Sequence, residues 1–237
     1  MVVGFIPARG GSKRLPGKNL RSFAGRPLIA YSIMLARNVP GIDRCVVSTD
    51  DERIAAEAQA WGAEVIRRPD ALATDTATTA SAAQHTVRQL EAAGAGIDLL
   101  VTLQPTNPLR TIALVEDGLA LFRRLRPDSV VSVAPTTIKT GAVQDDLFVP
   151  DYVPGTRSQD LPDRYHETGL LYITDARLVR DHGDLFGARI AALRTDPLFA
   201  EADIDTVEDC EHAELLYARY KHLFPYMDNT PAETARA

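Results

Sequence analysis

A segment near the start of the chain combines glycines with cationic side chains. It reads PARGGSKRLPGKN over residues 7–19 and directly follows an apolar run. Glycines at positions 10, 11 and 17 let the backbone approach a ligand closely. Its four cations are Arg9, Lys13, Arg14 and Lys18. In a chain with 26 basic and 32 acidic residues, such a local cluster predicts a binding site for a polyphosphate.

This loop differs from two common phosphate-binding loops. A Walker A loop has four residues between its glycines and a Ser or Thr after its lysine, whereas five residues separate Gly11 from Gly17 and Asn19 follows Lys18. The G-x-G-x-x-G pattern of dinucleotide sites is also missing from the loop. The spacing therefore disfavours a P-loop kinase and a dinucleotide-binding protein. A solvated surface loop is the remaining alternative, and the dense positive charge directly after a strand argues against it.

Two carboxylates near the end of the chain suggest a metal site. Asp203 and Asp205 are two positions apart in an extended segment, so both point to one face. Mg²⁺ takes one or two carboxylates together with phosphate oxygens and water, and we predict that this pair binds it. The alternative is that Asp205 caps the following helix, with Glu208 completing a capping box. That alternative leaves Asp203 unexplained.

Short β-branched runs alternate with longer helical patterns, which is typical of a mostly parallel sheet covered by helices. Strands are predicted near 2–7, 44–48, 64–67, 98–103, 129–134, 170–173 and 189–194. Helices are predicted near 27–38, 52–61, 76–92 and 112–125 and from Thr206 to about Leu223. The expected fold class is therefore α/β, with three Rossmann-like layers and the glycine-rich loop at the carboxyl end of the first strand, where such sheets bind ligands.

Residues 136–166 interrupt this pattern. They are rich in Pro, Gly, Thr, Gln and Asp, and the stretch is too long for an ordinary connection within a domain. We expect an excursion from the sheet, either a lid over the site or an arm for dimerisation. Residues 1–226 are expected to form one domain that includes this excursion, and 227–237 a disordered tail.

Composition narrows the class of protein. The 237 residues, 45% apolar and 24% charged, are typical of a globular chain. A net charge of −6 argues against nucleic acid or an anionic membrane as a partner, and no run approaches the roughly 20 apolar residues of a membrane span. Cys45 and Cys210 are too far apart for a C-x-x-C pair. We expect reduced core thiols and, without a signal-peptide core, a cytoplasmic protein.

Three motifs in a fixed order give the chain a specific resemblance. They are the loop at 7–19, LQPTNPLR at 103–110 and DIDT at 203–206. From residue 2 to about 220 the chain resembles the acylneuraminate cytidylyltransferases, which include the CMP-sialic acid synthetases and their pseudaminic and legionaminic acid relatives. CMP-Kdo synthetases have a similar loop but lack the QPTxPLR stretch. The resemblance implies a nucleotidyltransferase fold, a homodimer, and transfer of CMP from CTP to a nine-carbon 2-keto sugar acid.

The resemblance also implies roles in the transfer. Lys18 would bind the α-phosphate in the transition state. Arg9, Ser12 and the amides of Gly10 and Gly11 would bind the β- and γ-phosphates. Mg²⁺, the expected cofactor, would be held by Asp203 and Asp205. The catalytic residues would thus be Lys18, Arg9, Asp203 and Asp205.

Four further positions acquire a role only through the resemblance. Asn19 would contact the base or ribose, Arg68 the nucleotide and Gln104 the sugar acid, while Thr79 occupies a position where a small hydroxyl residue is usual. From the residues alone, an exposed surface charge explains Arg68 equally well, and a polar strand terminator explains Gln104. Thr74 or Asp75, nearby, is best explained as a helix N-cap.

The remaining sugar-binding candidates lie in or beside the excursion: Lys139, Arg157, Ser158, His166 and Tyr172. Sialic acid synthetases have basic residues where this chain has Ser158 and His166. The runs SQDLP at 158–162 and YHE at 165–167 resemble the pseudaminic acid branch instead. Arg157 or Arg164 could restore a fork for the sugar carboxylate. His166 is either a general base or, as is more usual for a lone loop histidine, a structural group.

Two other functions remain open. One is a related nucleotidyltransferase that activates Kdo or another acceptor. The other is a homologue that binds a nucleotide without turnover. The joint presence of Lys18, Asp203 and Asp205 favours an enzyme, because a pure binder has little use for both a cationic loop and a metal pair.

Overall fold

The structure, a computed structural model, describes residues 1–200 and 202–231. The strands are β1 (Val2–Pro7), β2 (Ser22–Phe23), β3 (Arg26–Pro27), β4 (Arg44–Thr49), β5 (Glu64–Arg67), β6 (Leu99–Thr102), β7 (Ser129–Thr136), β8 (Gly141–Gln144), β9 (Leu147–Pro150), β10 (Arg164–Asp175) and β11 (Ile190–Arg194). The helices are α1 (Leu28–Asn38), α2 (Glu52–Ala60), α3 (Thr79–Ala92), α4 (Ile112–Leu125), α5 (Ala176–His182), α6 (Pro197–Ala200) and α7 (Val207–Tyr220). Every strand and helix predicted from the sequence is present.

Seven strands form one sheet in the order β11-β7-β10-β6-β1-β4-β5. β10 is antiparallel to both of its neighbours, and the other pairs in this sheet are parallel. The carboxyl ends of β1, β4, β5 and β6 therefore meet at one edge, which is where parallel sheets bind ligands. The prediction of a mostly parallel sheet is confirmed.

Helices cover both faces of this sheet. Val3 and Phe5 of β1 lie in a buried cluster with residues of α3 and α5, whereas Ile6 lies in a second cluster with residues of α1, α4 and α7. This division follows from the two-residue period of a strand, which sends successive side chains to opposite faces. The predicted three layers are thus confirmed. Among the described residues, no helix has the length and apolar character needed to cross a membrane.

The chain leaves the sheet between β7 and β10, as predicted for the excursion. β8 and β9 pair there as an antiparallel hairpin. Asp145 and Asp146 turn it with φ values of 49° and 63°, the two left-handed conformations that a tight hairpin turn requires. The hairpin exposes large apolar side chains, with Val143 73% and Phe148 55% accessible. We call residues 137–163, including this hairpin, the arm.

The C-terminal segment is ordered further than predicted. Pro225–Asp228 form a turn of 3₁₀ helix, Met227 is fully buried, and Arg26 donates a hydrogen bond to the carbonyl oxygen of Met227. The prediction of a tail from residue 227 is therefore wrong at its start, because Met227 belongs to the core cluster that contains α1. The predicted disorder of 232–237 lies outside the described residues.

Candidate active site

A cleft of about 300 Å³ opens at the carboxyl ends of β1, β5 and β6. Its walls come from the loop at 7–19, the residues before α3 and the turn after β6. It brings together these predicted residues: Arg9, Ser12, Lys18, Asn19, Arg68, Thr79 and Gln104. Thr78 and Thr106 also line it; the sequence analysis assigned neither a role, although Thr106 belongs to the motif at 103–110. Residues separated by almost 100 positions in sequence thus share one cavity.

A larger cavity, of about 510 Å³, opens at the other edge of the sheet, where β6 and β7 begin. Most of its charged groups already form ion pairs or hydrogen bonds with other groups of the protein. Arg177 pairs with Asp175 at 2.7 Å, and Asp128 accepts a hydrogen bond from the backbone of Arg189 at 2.8 Å. It lacks a glycine-rich loop, so the smaller cleft is the better candidate for an active site despite its volume.

The local structure of the loop directs Lys18 into the cleft. Gly17 has a φ of 67°, which glycine adopts without strain, and it starts the 3₁₀ turn Lys18–Leu20. The side-chain amide of Asn19 donates to the carbonyl oxygen of Arg9 at 2.9 Å and so ties the two ends of the loop together. Asn19, predicted to contact the base or ribose, thus already uses one amide hydrogen to shape the loop.

Lys18 is paired with one of the two predicted metal ligands. Its Nζ donates to Oδ1 of Asp205 at 2.8 Å, and the side chain of Lys18 is only 12% exposed. Arg14 pairs with the other oxygen of Asp205. The hydrogen bond from Lys18, together with the charge of Arg14, lowers the pKa of Asp205. The carboxylate therefore neutralises two cations of the loop that is predicted to bind phosphate.

The other two cations of the loop meet a second carboxylate, that of Asp75. Lys13 forms an ion pair with it, and Arg9 lies 3.3 Å from its Oδ1 while donating to the carbonyl oxygen of Thr74 at 2.8 Å. The hydrogen bond from Lys13 lowers the pKa of Asp75. The interpretation of Thr74 or Asp75 as an N-cap is wrong, because the hydroxyl of Thr78 accepts from the amide of Ser81 and begins α3 there.

Gly10, predicted to bind phosphate through its amide, also has a structural role. Its amide donates to Oδ1 of Asp50 at 3.0 Å. A Cβ at this position would come within 2.9 Å of Asp51, and glycine is therefore required by the close approach of the loop to the turn after β4. A Cβ at Gly11 would meet no atom within 4 Å, which leaves that backbone accessible to a ligand.

Asp203 and Asp205 supply a donor set that fits Mg²⁺. The amide of Asn107 donates to Oδ1 of Asp203 at 3.1 Å and fixes that carboxylate. Within 1–200 and 202–231, no group of three or more His, Cys, Asp or Glu side chains converges. A cation here would therefore take two carboxylates and complete its shell with phosphate oxygens and water, as Mg²⁺ commonly does.

The helix after this pair is capped by other residues than predicted. The hydroxyl of Thr206 accepts from the amide of Asp209 at 3.2 Å, and the Asp209 carboxylate accepts from the amides of Thr206 and Asp205. The capping box predicted from Asp205 and Glu208 is therefore wrong by one residue. The shift releases the Asp205 side chain from capping and leaves it to Lys18.

Arg68 is a buried residue and not an exposed surface charge. Only 8% of it is accessible, and its guanidinium donates to the carbonyl oxygen of Ser48 at 2.8 Å. Burial and the nearby charge of Arg9 lower its pKa. The nearby charge of Asp50 opposes this shift and offsets part of the desolvation cost, and a bound anion or polar ligand would offset more.

The turn after β6 is fixed from behind. Gln104 lines the cleft, and its carbonyl oxygen accepts from the guanidinium of Arg110 at 2.5 Å. Arg110 is fully buried. Sequence reasoning placed it in a motif without assigning it a role, because burial of a polar residue cannot be deduced from its type.

The predicted sugar-binding residues of the arm do not line this cleft in the described part of the chain. Lys139 donates to the carbonyl oxygen of Thr156 at 2.5 Å, and Arg157 pairs with Asp160. Ser158 begins a 3₁₀ turn. His166 lies on β10 and borders a separate cavity that Ile138 and Thr140 of the arm also line. A single copy of the chain therefore leaves these candidates apart from Lys18.

Tyr172 lies on β10, opposite Thr102 of β6, and is not among the residues that line the cleft. Its ring packs edge-to-face on Phe186, with centroids 5.5 Å apart. Burial, together with the negative charges of Glu167 and Asp203, raises its pKa. Of the two predicted metal ligands, Asp203 is therefore the one whose charge acts on the Tyr172 hydroxyl.

Comparisons with known proteins agree with this geometry. Two solved structures have the same fold. One is a CMP:2-keto-3-deoxy-manno-octonic acid synthetase complexed with CTP, with a TM-score of 0.69, 20% identity and coverage of 92% of this chain and 98% of that one. The other is a 4-diphosphocytidyl-2C-methyl-D-erythritol synthase from Anaerococcus prevotii, with a TM-score of 0.66, 15% identity and coverage of 92% and 96%. At such identities, the similarity concerns the fold alone.

Sequence relatives are more similar. A CMP-N,N'-diacetyllegionaminic acid synthase from Legionella pneumophila is 32% identical over 223 residues, which are 91% of this chain and 95% of the relative. A pseudaminic acid cytidylyltransferase from Campylobacter jejuni is 32% identical over 90% of this chain and 94% of its own length. The sequence profile of a family described as cytidylyltransferase matches residues 3–153. The resemblance deduced from the motifs is confirmed: the chain belongs to the cytidylyltransferase family.

Proposed function

We propose that this protein transfers CMP from CTP to the anomeric hydroxyl of a nonulosonic acid and releases pyrophosphate. The observation that carries the proposal is the cleft lined by Lys18 and other residues of the glycine-rich loop, with Lys18 paired to Asp205 at 2.8 Å. The relatives named above, whose whole length this chain covers almost completely, make CMP-sugars of this class. Cys45 and Cys210 are free and buried. Free thiols are typical of proteins in a reducing compartment, which supports a cytoplasmic location.

The chain's own residues can meet the demands of this transfer. The anomeric oxygen attacks the α-phosphorus in line, the bond from phosphorus to the bridging oxygen breaks, and pyrophosphate leaves. Such a reaction needs positioning and charge stabilisation more than covalent catalysis. Lys18 is proposed to exchange the Asp205 carboxylate for the α-phosphate, and Arg9 and Ser12 to bind the β- and γ-phosphates.

The same exchange prepares the carboxylate pair. Once Lys18 turns to phosphate, Asp205 is free to act together with Asp203, which Asn107 already holds in place. Mg²⁺ bound to the pair would neutralise the phosphates and favour deprotonation of the attacking hydroxyl.

Asp203→Asn should therefore remove most of the activity together with its dependence on Mg²⁺. Asp196→Asn, an exposed change outside the cleft, is the control, and an unchanged Mg²⁺ titration in Asp203→Asn would move the metal elsewhere.

A homodimer would complete the acceptor part of the site. The arm carries Lys139, Arg157 and Ser158 away from the cleft of its own chain, and its hairpin exposes Val143 and Phe148. Apolar area of this kind commonly marks an interface, and we propose that the arm of one copy packs beside the cleft of the other. Phe148→Asp should shift the protein from dimer to monomer in light scattering. A wild-type protein that is monomeric at micromolar concentration would exclude this arrangement.

A substrate panel tests the proposed reaction. Pyrophosphate release is measured with Mg²⁺ and each of CTP, UTP, ATP and GTP, against N-acetylneuraminic, legionaminic, pseudaminic and Kdo acids. Release with CTP and one nine-carbon acid is expected. Release with Kdo alone would favour the related nucleotidyltransferase instead. CTP binding without turnover on any acid would point to a non-catalytic homologue.

A further inference from the structure

Arg110 is a buried cation for which the transfer reaction has no direct use. Only 1% of its surface is accessible, and burial lowers its pKa to about 10. Its hydrogen-bond acceptors in the structure are neutral: the carbonyl oxygens of Gln104 and Leu170 and the hydroxyl of Ser32. Burying a charge without an ion pair costs folding free energy, so we expect Arg110 to make a specific contribution to the structure of the site.

The three acceptors belong to three different elements. The guanidinium donates to Gln104, in the turn after β6, at 2.5 Å and to Ser32, in α1, at 3.1 Å. It also donates to Leu170 in β10. The backbone of Arg110 is itself held, because the hydroxyl of Tyr226 donates to its carbonyl oxygen at 2.7 Å. One guanidinium therefore fastens the turn after β6 to the middle of β10.

Both fastened carbonyl groups lie behind candidate acceptor-binding side chains. Gln104 itself lines the cleft. Leu170 is two residues before Tyr172, within the part of β10 where the register against β7 shifts between Glu167 and Tyr172. A strand with such an irregularity has fewer ladder hydrogen bonds to define its position, and the guanidinium of Arg110 supplies one from the side.

We propose that Arg110 is a positioning residue for the acceptor side of the site. It sets the relative placement of Gln104 and Tyr172 without touching the substrate. Only arginine can do this, because its planar group presents several donors in fixed directions, whereas lysine presents one compact ammonium. The expected effect of Arg110 on substrate kinetics rests on the proposed function. Its expected effect on the order of the two segments rests on the hydrogen bonds alone.

The structural effect is tested by comparing hydrogen–deuterium exchange in wild type and Arg110→Lys. This substitution keeps the positive charge but removes the planar guanidinium and its several donors. Faster exchange is expected in 103–107 and 169–173, with no change in the loop at 7–19. Unchanged exchange in both segments would overturn the proposal. This result does not depend on turnover, so it is distinguishable from a failure of the proposed reaction.

The effect on substrate kinetics is tested with the sugar acid that the substrate panel identifies. Arg110→Lys should raise the KM for the acid at least tenfold while the KM for CTP stays within twofold. Equal increases in both would indicate a general structural role and contradict the proposal. In the Gln104→Ala background, Arg110→Lys should add little further loss, because interacting residues are not additive; fully additive losses would also contradict it.

Ser32→Ala provides a milder variant should Arg110→Lys fail to fold. It removes one of the three acceptors and leaves the guanidinium in place. The expected result is the same selective rise in the KM for the acid, about threefold, with the KM for CTP unchanged. An equal rise in both constants, or none in either, would overturn the proposal in this variant too.

Discussion

Replacing Lys18 with alanine should separate catalysis from stability. The ion pair between Lys18 and Asp205 is partly exposed, with the two side chains 12% and 35% accessible, and Arg14 remains as a second partner of Asp205. Loss of a partly exposed pair costs about 0–1 kcal/mol of folding free energy. Loss of one preorganised charge at the reacting phosphate costs about 2.7–4 kcal/mol in the barrier, or roughly 10²–10³ in kcat. The two effects therefore differ by a measurable margin.

The assay combines pyrophosphate release at saturating CTP and sugar acid with thermal unfolding of the same preparations. Lys13→Ala is the matched control, because it removes the same charge from the same loop at a side chain that is 76% exposed and pairs with Asp75 instead. We expect Lys13→Ala to keep kcat within a few-fold of wild type. A Lys18→Ala enzyme with kcat within threefold of wild type, or a Lys13→Ala enzyme that loses as much as Lys18→Ala, would refute the reasoning.

Three further predictions concern the rest of the chain. Thr206→Ala should lower the stability by about 1 kcal/mol through loss of the cap on α7, measured by chemical unfolding. The pKa of Asp209 is lowered by hydrogen bonds from the amides of Asp205 and Thr206, so its contribution should be complete above about pH 4 and be lost as the pH falls further; the difference in Tm between wild type and Asp209→Asn should shrink there. Burial raises the pKa of Cys45 to about 12. Burial also raises the pKa of Cys210 above its usual value, so a thiol reagent should label neither before unfolding.

Local patterns were sufficient to predict the sheet and the loop. β1 and β6 are continuous apolar runs between turn residues, and such runs are typical of strands buried on both faces. The loop after β1 was recognisable because glycine and cation types are visible in the sequence itself. The position of the cleft then followed from the topology of parallel sheets.

Features that depend on tertiary contacts could not be predicted. β10 begins at Arg164, but its first half is exposed and irregular, so only 170–173 carried a strand signal. The start of α3 was placed too early because Thr74, Asp75 and Thr78 are all acceptable caps in isolation. That Asp75 instead pairs with Lys13 depends on how the chain returns to the loop.

The most direct test of the proposed chemistry is to observe the product. Purified protein is incubated with CTP, Mg²⁺ and the nine-carbon acids, and the mixture is followed by phosphorus NMR. The proposed function predicts that CTP is converted into equal amounts of a CMP-sugar phosphodiester and pyrophosphate, only when both substrates are present. Intact CTP, or its conversion into CDP and phosphate, would contradict it.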